Sequence, residues 1–119
     1  MDENIRRQLI EADVDIDEAM ERFAGNYGLM ERFLKRFPTD ESFQKLQKFL
    51  DEGNCEDAFR ACHTLKGTCA NMSMNKLWKV VSEQVEFLRA GELEKAKDVM
   101  PKVSEMYGKM VENIKKIYP

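Results

Sequence analysis

A chain of 119 residues can build one hydrophobic core but is too short for two ordinary domains, so a single domain over 1–119 is expected. Charged residues make up 34% of it, no apolar run approaches the length of a membrane span, and the first residues lack the apolar stretch of a signal peptide, which makes the cytoplasm the expected compartment and a membrane an unexpected partner. The formal charge of −3 is unevenly spread: residues 1–58 carry 15 acidic and 8 basic side chains and residues 59–119 carry 7 and 11, and so acidic a first half argues against nucleic acid as a partner.

Gly and Pro are scarce and the apolar residues recur three and four apart, which favours helix throughout. Asp15 with Glu18 reads as a capping pair that opens a short helix through Phe23. Met30, Phe33, Leu34 and Phe37 mark a helix begun near Asn26, and Phe43, Leu46, Phe49 and Leu50 mark the next, over about 40–51. After the turn signal Glu52-Gly53, Asn54 is the expected N-cap of a helix over about 55–72 that buries Ala58, Cys62, Leu65, Cys69 and Met72. Leu77, Val81, Val85 and Leu88 form a further stripe that stops at Ala90-Gly91, where glycine can take the left-handed cap conformation. The last seam runs from Leu93 through Ala96, Met100, Val103, Tyr107, Met110 and Ile114 to Ile117, and Pro101 inside it predicts a kink or short break rather than a loop. No stretch alternates with period two. The fold class expected is therefore all-α, an antiparallel four-helix bundle with short additional N-terminal helices.

Cys55, Cys62 and Cys69 stand seven residues apart. On one helix their Cα atoms are separated by about 10 Å, beyond the roughly 7 Å a disulfide tolerates, and the three cannot converge on one metal ion. They read as small buried apolar residues, and no metal site is expected.

His63 is the only histidine. At about 100° per residue the apolar set of its helix lies roughly 100–180° away from it, while Glu56, Arg60, Gly67 and Ala70 fall within about 60° and Phe59 and Lys66 flank it. The ring therefore points to solvent. A surface histidine without a role is the plain alternative, but its neighbours count against that. Gly67 sits in mid-helix, where it costs about 1 kcal/mol relative to alanine, and its missing side chain clears space above the imidazole. Lys66, three residues on, can swing an ammonium towards an anion on the ring. An exposed imidazole is partly neutral near pH 7 and offers a nitrogen nucleophile, whereas the chain has no Gly-rich phosphate loop and no evident metal site.

The run Ala61-Cys62-His63-Thr64-Leu65-Lys66-Gly67-Thr68-Cys69-Ala70-Asn71 closely resembles the H-x-L-K-G signature of histidine phosphotransfer (HPt) domains in multistep two-component signalling. Phe23-Ala24-Gly25-Asn26, the Leu50-to-Asn54 turn and the Arg89-to-Leu93 turn extend the resemblance over roughly residues 12 to 118. It implies a phosphoryl carrier, not an enzyme in its own right. His63 is then the phosphoacceptor, Lys66 supports the phosphate and Gly67 gives steric access. The partners implied are response-regulator receiver domains and a hybrid histidine kinase, with the Mg²⁺ ion on the receiver and no cofactor on this chain. Phe59, Arg60 and Ala70 are placed in the docking surface by angle alone. The chain departs from the pattern at Asn71-Met72-Ser73, where many members have a turn like N-L-G; Ser73 is expected to cap the following helix instead.

Two other classes compete. A bundle that docks on receivers or kinases without taking phosphate would have no need of the histidine. An enzyme using His63 as a general base would need a partner residue that the sequence does not supply. The starting methionine and the ending at Pro119 favour a stand-alone carrier, and phosphotransfer needs no dimer, so a monomer is expected.

Overall fold

The computed structural model describes residues 1–119 as seven α-helices and one 3₁₀ turn: α1 (Glu3–Glu11), α2 (Ile16–Arg22), α3 (Tyr27–Arg36), the turn Phe37–Thr39, α4 (Glu41–Asp51), α5 (Cys55–Asn71), α6 (Asn75–Arg89) and α7 (Leu93–Ile117). Helices α4 to α7 pack each against the next, and α4 closes against α7, giving the antiparallel four-helix bundle. Helices α1 and α3 lie on α7, with α2 between them in the chain. No helix is long and apolar enough to cross a membrane.

The three reversals of the bundle share one geometry. In each, a residue with positive φ follows the helix: Gly53 at 72°, Ser73 at 51° and Gly91 at 75°. The next residue then donates its N–H five positions back, Asn54 to Phe49, Met74 to Cys69 and Glu92 to Phe87. This is the Schellman ending, which satisfies the last carbonyls of one helix and delivers the N-cap of the next within three residues. Asn54 caps α5 as expected, its side chain accepting from the Asp57 N–H at 3.1 Å.

Ser73 does not cap α6. It occupies the left-handed position itself, and the N-cap is Met74, which has no side-chain oxygen to offer. The missing acceptor arrives from far along the chain: Asp13 Oδ2 accepts from the Lys76 N–H at 3.0 Å. The Asp15–Glu18 pair is likewise only half a capping box. Asp15 accepts from the Glu18 N–H, but the Asp15 N–H donates to the Ser73 carbonyl and the Glu18 carboxylate turns to Arg22 and the Ser73 hydroxyl. The loop between α1 and α2 is thus tied to the α5–α6 reversal. Helix α1, capped by Asp2, is an element the sequence pattern did not reveal. Helix α7 runs unbroken through Pro101, so there is no break at that point.

The core contains Leu46 and Leu50 from α4, all five predicted residues of the α5 region, the whole α6 stripe, and Ala96, Met100, Val103, Tyr107, Met110 and Ile114 from α7. Two polar residues are fully buried, Ser73 at the α5–α6 reversal and Gln84 in the middle of the bundle. Gln84 donates to the Ala96 carbonyl at 2.9 Å and takes the Cys62 thiol on its oxygen at 3.5 Å, which satisfies it between α5, α6 and α7.

Candidate functional site

Helix α5 is fixed in rotation by its inner face. Ala58, Cys62, Leu65 and Cys69 are wholly buried, so the opposite side, with His63, Thr64 and Gly67, faces solvent. His63 is exposed and lies beside the Phe59 ring, with centroids 5.9 Å apart. The Arg89 guanidinium from α6 sits over the other part of that aromatic patch, 5.0 Å from the Phe59 centroid. The groove of about 680 Å³ between α4 and α5 is lined by Arg60, Ala61 and Thr64 but not by His63. The imidazole therefore faces solvent outside that groove.

A Cβ built on Gly67 would meet nothing within 4 Å. Open space lies where that side chain would stand. Ala70, half-buried one turn further on, continues this low-relief strip. Lys66 is half-buried and makes no hydrogen bond to the imidazole; its ammonium stands 5.8 Å from the centroid of Trp78 on α6, and it forms no salt bridge. Arg60 is turned the other way, along its own helix. It pairs with Glu56 at 2.6 Å and Asp57 at 2.9 Å.

His63, Phe59, Gly67 and Ala70 thus share one face, with Lys66 at its α6 edge and Arg60 at its N-terminal end. Sequence reasoning missed Trp78 and Arg89, which reach this face from α6. Trp78 had a signal: the only tryptophan stands next to the buried stripe position Leu77 yet on the outward side of it.

The cysteines carry no chemistry at this site. Burial pushes the Cys62 and Cys69 thiols up to about 12, and the Cys55 thiol donates to the Leu88 carbonyl at 3.5 Å; all three are free.

Neither the curated proteins nor the solved structures contain a match to the chain. A family model, described as the Hpt domain, matches residues 28–114. Residues 12–27, to which the sequence resemblance extended, lie outside that span. The match takes in all four bundle helices apart from the end of α7, and with them His63 and its surroundings. The chain belongs to the Hpt domain family, the histidine phosphotransfer modules of phosphorelays.

Proposed function

We propose that this chain is a phosphoryl carrier whose phosphoacceptor is His63. The observation that supports the reading most is the pairing of an exposed imidazole on the outward face of α5 with open space at Gly67, one turn further along. A receiver aspartate is recessed in its own domain, and only a projecting nucleophile can meet it. A neutral imidazole nitrogen attacks phosphorus in line with the aspartyl O–P bond. The N–P bond forms as the O–P bond breaks, and the electron pair leaves on the aspartate carboxylate. Transfer onward is the same displacement with a second aspartate as nucleophile.

The Mg²⁺ ion needed to neutralise the phosphoryl oxygens belongs to the receiver, so this chain contributes position, a nucleophile and Lys66 as one cation, with no cofactor of its own. Phe59, Gly67 and Ala70 form the surface that meets the receiver, and Arg60 borders it. A hybrid histidine kinase stands upstream, and the chain works as a monomeric single domain in the cytoplasm.

The test is transfer from a phosphorylated receiver, with the product scored for a phosphate labile in acid and stable in alkali. His63→Gln is expected to abolish it while leaving helicity unchanged. Lys66→Ala is expected to slow it about tenfold, the worth of one charge-assisted contact. Unchanged transfer in His63→Gln would sink the proposal.

A further inference from the structure

We propose that Trp78 is a positioning residue for Lys66, holding its ammonium against α6 until a phosphoryl group on His63 draws it across. The inference rests on the reading of His63 as phosphoacceptor. A lysine three residues after His63 can reach towards the imidazole or towards the neighbouring helix. Here it takes the second course, with the ammonium 5.8 Å from the Trp78 centroid. The ring faces no carboxylate competitor for that ammonium, since Lys66 has no ion pair, whereas Arg60 on the same helix has two.

Trp78 itself is otherwise unexplained. It is 38% exposed, while Leu77 and Val81 beside it supply the core contacts of α6. An outward tryptophan is a poor use of apolar surface unless its face is covered, and the lysine covers it. Parked there, the cation lies off the imidazole and leaves the nitrogen lone pair available for attack. Once phosphorus is bound, the phosphoryl oxygens offer charge-assisted hydrogen bonds that are stronger than attraction to a ring face, so the ammonium crosses to them. Trp78 thereby sets how tightly Lys66 holds the product.

Trp78 is the only tryptophan, so its fluorescence reports this site alone. The protein is phosphorylated with phosphoramidate, where the N–P bond to His63 forms as the donor P–N bond breaks and ammonia leaves, and occupancy is read by intact mass. The tryptophan emission is expected to change in step with phosphorylation and to return on hydrolysis. The change should vanish in Lys66→Met at equal occupancy. Removing the competing ring with Trp78→Leu should lengthen phosphohistidine lifetime about two- to fivefold, Trp78→Phe should fall between, and neither should act in a Lys66→Met background. Full phosphorylation with unchanged emission, or the same change in Lys66→Met, would overturn the proposal. If the mass shows no phosphate on His63, the carrier reading itself fails and this inference falls with it.

Discussion

Gly67 carries a cost that the fold does not explain. An interior helical glycine is about 1 kcal/mol worse than alanine, and nothing lies within 4 Å of where its Cβ would be. Gly67→Ala is therefore expected to raise stability by about 1 kcal/mol, read as a higher denaturant midpoint. Gly67→Leu should keep native helicity and slow transfer from a phosphorylated receiver at least about tenfold, since the added bulk stands where the receiver must approach. A loss of stability in Gly67→Ala would mean that the helix itself needs the glycine. This part of the site was legible because helical rotation follows from residues on the same helix: Cys62, Leu65 and Cys69 turn inward and so turn His63 and Gly67 outward. The resting place of Lys66 was not legible. It depends on the register between α5 and α6, which brings Trp78 alongside, and no local pattern encodes that. The position of Arg60 could have been read, since Glu56 and Asp57 lie four and three residues before it.

The reversals are where sequence and structure part company at the level of elements. Gly53 and Gly91 announced two of the three turns, but the third is built on Ser73, which looks like an N-cap and behaves as a C-terminal left-handed residue. Its hydroxyl explains the exception. Fully buried, it donates to Glu18 at 2.9 Å and accepts from Arg22, joining α2 to the end of α5. The same contacts, the Ser73 bond first and Arg22 second, hold the Glu18 carboxyl below its ordinary value. Ser73→Gly relieves the left-handed strain and loses the bonds, so its stability should stay within about 1 kcal/mol of the parent. Ser73→Ala keeps the strain and loses the bonds, and should cost about 2 kcal/mol in urea unfolding. In both variants the Glu18 carboxyl should titrate at higher pH by NMR. Equal stability of the alanine and glycine variants would remove the argument. Helix α1 escaped notice for a related reason. Only Ile5 and Leu9 mark its inner face, and its burial comes from α7, nearly the whole chain away.

Across the whole molecule the bundle was legible because its four long helices each carry an unbroken apolar stripe, and three-residue turns leave only antiparallel neighbours. What the stripes conceal is that part of the core can ionise. Burial pushes Cys62, Cys69 and the Tyr107 phenol each up to about 12, against ordinary values of 9.0 for the thiols and 10.0 for the phenol, with the Asp40 carboxylate adding to the rise for Cys69 and Tyr107. Tyr107 is further held by stacking on Phe43, with centroids 4.1 Å apart, and by donating to the Phe37 carbonyl. The native state thus keeps protons that the unfolded chain gives up. Their contribution is intact below pH 9 and is lost as pH climbs from 9 towards 12, because unfolding then releases protons. Urea midpoints are expected to hold level through neutral pH and to fall above pH 9, each thiol costing on the order of 1 kcal/mol per pH unit. Replacing both buried cysteines with alanine should lower the neutral-pH midpoint, since two core sulfurs are lost, yet flatten the alkaline decline. A decline as steep without the thiols would place the alkaline sensitivity elsewhere in the bundle.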